Sequence, residues 1–307
     1  MRRIALSIYW AFLTVVRSFT LFRQKDAAAY YTMIGDDVID FMNDKYTDES
    51  KPLWLNIGYW KNARKYPDAC VALVELLGTR AGLKPGDKVL DVGVGFAEQD
   101  FVLLDRFELS HITGIDITPV HVEKGRARAA KRGLENRLDI QLGSATAMDF
   151  PDASFDAVLA LECAFHFDTR EQFMREAFRV LKPGGSIALA DMLPTPGKKA
   201  DRKTAFGRKY GHVPEANFYD REEYPRRLAA AGFDDIVVES IREDVFPAMA
   251  NYMRQRVEGQ KKMDEVTVDV TEDDRAQCRG VELWERVTGF ADYVIASARK
   301  PLDTPTS

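Results

Sequence analysis

Lys88-Val89-Leu90-Asp91-Val92-Gly93-Val94-Gly95-Phe96-Ala97 decides the fold. Its first half is a short apolar run of the kind that forms a strand buried on both faces. Its second half is a glycine turn, and residues 98–109 then take up helical spacing. Gly93 and Gly95 permit a tight turn and a close approach of the backbone to a ligand, and Ala97 is small enough for a helix to pack on a sheet. A strand, a glycine turn and a helix in that order open a βαβ unit.

The alternation repeats on either side. His111–Asp116 reads as a strand, 119–132 as a charged helix and Leu138–Gln141 as a third strand. Phe155–Leu161 is a fourth strand, 169–181 a helix, and Pro183-Gly184-Gly185 a turn into a fifth strand, Ser186–Asp191. Upstream, 68–81 has helical spacing closed by Gly82. Downstream come a loop-like stretch 194–218, a helix 221–231, a strand Ile236–Glu239, a polar helical region 243–289 and a last strand Tyr293–Ala298. This order predicts an α/β fold, a Rossmann-like doubly wound and mostly parallel sheet with helical lid segments. The expected division is an apolar basic helix 1–25, an N-terminal lid 26–67, a cofactor-binding core 68–193, a substrate lid 194–290 that includes a remaining core strand, and the last strand and tail 291–307.

Composition narrows the function. The chain of 307 residues carries 43 basic and 48 acidic side chains, a net charge of −5, which argues against a nucleic-acid partner. Cys70, Cys163 and Cys278 are far apart and have no metal-like spacing with the four histidines, so neither a structural metal nor a disulfide framework is expected. A cytoplasmic protein fits this cysteine usage. Residues 1–25 contain five basic residues and no acid around the apolar run Ile4–Val16. That run is too short to span a bilayer, and Arg17 interrupts it. It suits a helix lying in a membrane surface, or one packed on the domain or on a second subunit of a homo-oligomer. The basic run between Lys198 and Lys209 reads as a solvated lid surface or as a contact for an anionic group.

Ligands of such sheets bind beyond the carboxyl ends of the strands. Asp116 ends the second strand about 20 residues past the loop, the place of a ribose-binding acid. Its alternative is a strand-end acid that caps the next helix. The loop also lacks the third glycine of a dinucleotide fingerprint, since Glu98 stands there. Asp91 and Glu98 would face a doubly negative pyrophosphate, and like charge costs affinity. S-adenosylmethionine has a sulfonium, an ammonium and no phosphate, so acids around the loop favour it over NAD.

Val89–Gly95, Gly114-Ile115-Asp116 and Leu181-Lys182-Pro183-Gly184-Gly185 resemble successive motifs of class I S-adenosylmethionine-dependent methyltransferases, over about residues 86–191. Leu55-Asn56-Ile57-Gly58-Tyr59-Trp60, Gln99-Asp100-Phe101, Asp116–Val122, Gly143-Ser144-Ala145-Thr146, the segment around His166 and Ala296–Pro301 are similar to sugar O-methyltransferases of the erythromycin-biosynthesis type. They are more loosely similar to tocopherol and sterol C-methyltransferases. The resemblance implies Asp91, Gly93, Gly95 and Gln99 at the methionine end of the cofactor, Asp116 and Ile117 at the ribose, and Ser144 and Ala145 at the adenine. Family members often have an acid where Ser144 stands. The amino-terminal 25 residues share no close likeness with the sugar enzymes.

The strand ends supply the catalytic candidates. His166 follows the fourth strand, and a histidine ordinarily titrates near neutrality, as a general base should; its alternative is a half-buried residue hydrogen-bonded to backbone. Asp191 ends the fifth and is expected to orient that ring or take a second proton, or else to cap the following loop. The resemblance supports the pair. Cys163 reads as packing, and His121 as a surface or capping residue. Glu162 reads as a contact for the cofactor's amino group or as structural. Tyr59, with Trp60, reads as a sulfonium partner or as ordinary aromatic packing. The expected function is O-methylation of a small, hydroxylated and lipophilic metabolite, within secondary metabolism, by in-line transfer with His166 removing the proton. C- or S-methylation of a lipid-like or small thiol acceptor, and a non-catalytic cofactor-binding role, are the alternatives.

Overall fold

A computed structural model of the chain describes residues 52–195, 213–252 and 291–302. The expected helix 1–25, most of the N-terminal lid and the basic run 198–209 lie outside the described residues. Among the described residues no helix is long and apolar enough to cross a membrane.

Seven strands form one sheet in the order β3-β2-β1-β4-β5-β7-β6. They are β1 (Lys88–Val92), β2 (His111–Asp116), β3 (Leu138–Leu142), β4 (Phe155–Leu161), β5 (Leu181–Pro194), β6 (Asp234–Ser240) and β7 (Ala291–Arg299). β1 to β5 are parallel, while β7 runs antiparallel between β5 and β6. Helices of the described residues include α1 (Tyr66–Ala81), α2 (Glu98–Arg106), α3 (Pro119–Lys131), α4 (Arg170–Val180) and α5 (Tyr224–Ala230).

Side chains of one strand alternate between two cores, as the pleat requires. Val89, Leu159, Tyr293 and Ile295 join Leu73 and Leu77 of α1, Leu103 of α2 and Val122 of α3 on one face. Leu90, Val92, Val158 and Val294 join Phe173 and Met174 of α4 and Leu228 of α5 on the other. Burying a side chain such as Leu90 or Phe173 contributes about 1.5–3 kcal/mol, and a strand covered on both faces gains this at successive positions. That is why Val89, Leu90 and Val92 make β1 read as a mainly apolar strand in the sequence.

The passage from α4 into β5 differs from the sequence reading, and β5 runs on past Asp191 to Pro194. α4 stops at Val180, and Leu181 already pairs with Phe155. The register then jumps, so that Ala157 pairs with Ser186. Lys182-Pro183-Gly184-Gly185 is therefore a bend inside β5 rather than a turn before it, with Gly184 at φ +78°. β1 stands between β2 and β4, where chain direction along the sheet reverses. This switch point opens a crevice at the carboxyl ends of both strands.

Candidate active site

The crevice is a cleft of about 500 Å³, within the usual range for a small-molecule site. Gly93, Gly95, Ile117, Ser144, Ala145, Glu162 and His166 line it. Leu53, Trp54, Leu55 and Asn56 close it from the N-terminal side.

Gly93 sits at φ +78°. A Cβ there would lie 2.7 Å from both Cβ and Sγ of Cys163, so the loop passes under the β4 end only because no side chain intervenes. Cys163 Sγ donates to the Val92 carbonyl at 2.9 Å. Burial and surrounding carboxylates push this thiol well up, which keeps it protonated and suits packing rather than nucleophilic chemistry.

Asp116 is held in place on every side. Its Oδ2 accepts from the Gly95 N–H at 3.0 Å and its Oδ1 from the Thr118 N–H at 2.8 Å. His121 Nδ1 lies 3.4 Å from Oδ2. Burial pushes the carboxyl up, but His121 and the two backbone donors outweigh it and hold Asp116 below the usual carboxylate range. A fixed anion therefore faces the cleft where a ribose-binding acid is expected. His121 is not on the surface. It is buried, lines the cleft and packs edge-on against Phe96.

Three of the expected site residues do not line the cleft. Asp91 lies behind the loop, with its Oδ2 accepting from Gln99 Nε2 at 2.8 Å, while Gln99 itself reaches the cleft wall. Burial pushes Asp91 up, to about 6. Tyr59 turns away toward Asp244, which with burial raises its phenol. Its neighbour Trp60 is packed against Tyr66 and Tyr252. Asp191 is fully buried; its oxygens accept from Arg170 Nε at 2.7 Å, from Tyr224 Oη at 3.0 Å and from the Met192 N–H at 2.8 Å. Its carboxylate is taken up by these donors rather than presented to the cleft. Asp168, two residues past His166, does line it.

Glu98 lines the cleft, but its carboxylate is paired with Arg128. The sequence argument from a bare acid at this position is therefore corrected, because Arg128 offsets that charge. Glu162 stands differently. Its oxygens accept from the Ile57 N–H at 2.9 Å and from Tyr293 Oη at 2.6 Å. Burial pushes this carboxyl up to about 7, against the pull of those two bonds.

Asn56, Thr118 and His121 were missed as cleft residues. Asn56 Nδ2 is a buried donor with no partner, while its Oδ1 accepts from Gly58 N. An orphaned donor in a cleft wall, a glycine loop with no room for a side chain at Gly93, and fixed carboxylates fit a nucleoside with a cationic amino-acid tail.

A family model for a methyltransferase domain matches residues 90–189. Erythromycin 3''-O-methyltransferase of Saccharopolyspora erythraea is 34% identical over 84% of this chain and 87% of its own length. The chain belongs to the S-adenosylmethionine-dependent methyltransferases. Its cofactor is accordingly S-adenosylmethionine, as the loop and the resemblance led one to expect. 27-O-demethylrifamycin SV methyltransferase of Amycolatopsis mediterranei is 30% identical to this methyltransferase over 84% of the chain and 95% of that relative. Phosphoethanolamine N-methyltransferase of Triticum aestivum is 30% identical over 62% of the chain, which spans about a third (36%) of that longer protein. Among solved structures, the cyclase SpnF superposes with a TM-score of 0.68 at 24% identity, covering 91% of this chain and 97% of its own. Geranyl diphosphate C-methyltransferase of Streptomyces coelicolor A3(2), bound to S-adenosyl-L-homocysteine, gives 0.63 at 16%, covering 86% and 97%. At these identities the structures establish the fold.

Proposed function

We propose that the methyltransferase acts on a hydroxyl of a small, largely apolar metabolite, with His166 as the general base. The observation that carries this reading is the position of His166. It stands in a short turn, Ala164–His166, at the carboxyl end of β4 and lines the same cleft as Gly93, Gly95 and Asp116. Phe165, Phe167, Met192 and Leu53 line the cleft with it and offer an apolar surface to an acceptor. Two relatives matched over most of their length carry O-methylation in their names, whereas the N-methyltransferase match spans about a third of that protein.

S-adenosylmethionine supplies an activated methyl group with a neutral thioether as leaving group. The chain then has to orient the acceptor, exclude water and take one proton. The new bond joins the acceptor oxygen to the methyl carbon as the carbon–sulfur bond breaks and its electron pair returns to sulfur. The hydroxyl proton passes to the imidazole of His166. Asp116 is assigned to the ribose hydroxyls with Ile117 beside them, Ser144 and Ala145 to the adenine, Gly93, Gly95 and Gln99 to the methionine moiety, and Glu162 to its ammonium. Asp91 acts through Gln99, and Asp191 through Arg170.

The test is a screen with methyl-labelled S-adenosylmethionine against sugar hydroxyls, 27-O-demethylrifamycin SV, phosphoethanolamine, geranyl diphosphate and a small thiol. Label on oxygen is expected; label only on nitrogen, carbon or sulfur overturns the O-methylation reading. In the same assay, His166→Ala is expected to lose about 10²–10⁴ in turnover with cofactor affinity retained. Unchanged turnover removes His166 as the base. Residues 1–25 suit a peripheral membrane contact that would serve a lipophilic acceptor. Equal flotation of the full chain and of a chain lacking residues 1–25 on phosphatidylserine vesicles overturns that part.

A further inference from the structure

We infer that Asn217 is a positioning residue for His166, acting through the backbone on both sides of it. Asn217 ends the short turn Glu215–Asn217 and is fully buried. Its Nδ2 donates to the Phe165 carbonyl at 3.1 Å and to the Phe167 carbonyl at 2.6 Å. These carbonyls belong to the two residues that flank His166 in the chain, the first in the peptide group that precedes it and the second in the peptide group that follows Phe167. One rigid amide thus pins the turn at two peptide groups, Phe165–His166 and Phe167–Asp168, and so restricts the backbone that carries the His166 ring.

The amide is itself fixed from the other side. Asn217 Oδ1 accepts from the Arg170 N–H at 2.9 Å, and its main-chain carbonyl accepts from the Arg170 guanidinium. Arg170 is in turn locked by Asp191 at 2.7 Å and by the Met192 carbonyl at 2.9 Å. Asn217 spends both side-chain N–H donors on the His166 turn and its side-chain oxygen on the start of α4. A buried ion pair is weak evidence of stability and is better explained where it specifies one arrangement. Here that arrangement is the register of β5, α4 and the His166 turn around a single asparagine. An isolated loop between β4 and α4 would hold a catalytic ring loosely, and a displacement of about 1 Å costs on the order of 100-fold in rate.

This inference rests on the reading of His166 as the base, but its test reads the ring directly and needs no acceptor. The full chain, labelled with 13C-histidine and saturated with S-adenosylhomocysteine, is compared as wild type, Asn217→Ala and Asn217→Asp. Asp at 217 keeps an acceptor for the Arg170 N–H and loses both donors. His166→Gln identifies the His166 signal. In both Asn217 variants the His166 signal is expected to move and its titration midpoint to shift, while His111, His121 and His212 stay in place and S-adenosylmethionine affinity stays within about twofold. An unmoved His166 signal in a folded variant overturns the inference. So does a shift of all four histidines together, or failure of both variants to fold, because either marks Asn217 as a general stability element. His166→Ala turnover separately reads the base assignment. A kinetically silent His166→Ala with a moved His166 signal would leave Asn217 as the clamp of a turn that is not catalytic, and would fail the base reading alone.

Discussion

The hydroxyl of Tyr293 donates to Glu162 Oε1 across 2.6 Å, joining the middle of β7 to the cleft end of β4. The same carboxylate accepts from Ile57 N–H, so one buried group ties the N-terminal wall of the cleft to the sheet. Burial raises Glu162 to about 7 from the 4.5 of an ordinary glutamate. Between those values the folded chain holds more protons than the unfolded one, so this group's contribution to stability falls as pH rises from about 4.5 to about 7. The full span is on the order of 3 kcal/mol. A bound ammonium would favour the ionised carboxylate and offset that loss. S-adenosylmethionine affinity is therefore expected to rise with pH up to about 7 and to level off above it. Tyr293→Phe, which removes a donor, should move that midpoint upward. Titration calorimetry between pH 5.5 and 8.5 checks both, and a flat affinity profile would show that Glu162 does not meet the cation.

Behind the glycine loop, Asp100 of α2 is fully buried with no hydrogen-bond donor at either oxygen, next to Asp91. Burial and the Asp91 charge push Asp100 well up, so it keeps its proton and shares it with Asp91. A carboxyl whose folded value is raised loses stability for the chain as pH rises above its unfolded value. Asp100→Asn keeps an N–H donor toward Asp91 and removes that titration. The variant is expected to bind S-adenosylmethionine like the wild type and to gain stability relative to it between pH 5 and pH 8. Urea midpoints at the two pH values measure this, and parallel losses in both proteins would rule out a shared proton.

The parts of this site legible in the sequence are those set by local pattern. Val89–Gly95 shows its strand, its turn and its ligand loop because burial on both faces and the need for φ > 0 restrict residue types one by one. Asp116 is legible because spacing along a βαβ unit fixes where the second strand ends. Side-chain direction is less so. Asp191 lies inside β5, which runs on to Pro194, and Arg170 from α4 and Tyr224 from α5 draw its carboxylate into the protein. Asn56 and Tyr59 lie three residues apart in an irregular segment, where no period tells which faces the cleft. His121 reads as a surface or capping residue of a charged helix, and Phe96 and Asp116 from other elements pack against it. Lys300, part of a stretch that resembles the family, is a backbone anchor, donating to the carbonyls of Phe178 and Leu181. The expected helix 1–25, on which part of the acceptor question turned, lies outside the described residues.

Gly93→Ala tests the glycine loop of the cleft. The added methyl would meet Cys163 at 2.7 Å and sit at φ +78°. Backbone strain and overpacking each cost about 1–3 kcal/mol. Relief requires the loop to rise into the cleft, so the variant is expected to lose more cofactor affinity than a surface Gly→Ala change such as Gly133→Ala, where nothing lies within 4 Å. Gly133→Ala also has a positive φ, +66°, and so controls for backbone strain alone. Thermal melts with and without S-adenosylhomocysteine separate the two effects; equal ligand-induced shifts in both variants would place Gly93 outside the cofactor contact.

Asp191 admits two roles that mutation distinguishes. If it anchors Arg170, its removal leaves a fully buried guanidinium without its counter-charge, a change that typically costs 3–5 kcal/mol. Asp191→Ala is then expected to lower the urea midpoint sharply, and Arg170→Met to do the same. The double variant should lose less than the two single losses added together, because neither charge is left alone. If instead Asp191 orients the imidazole directly, Asp191→Asn would fold like the wild type, lose turnover, and leave Arg170→Met fully active. The distances favour the first outcome: both Asp191 oxygens face donors from Arg170, Tyr224 and the Met192 N–H, and Asn217 stands between this pair and the turn that carries His166.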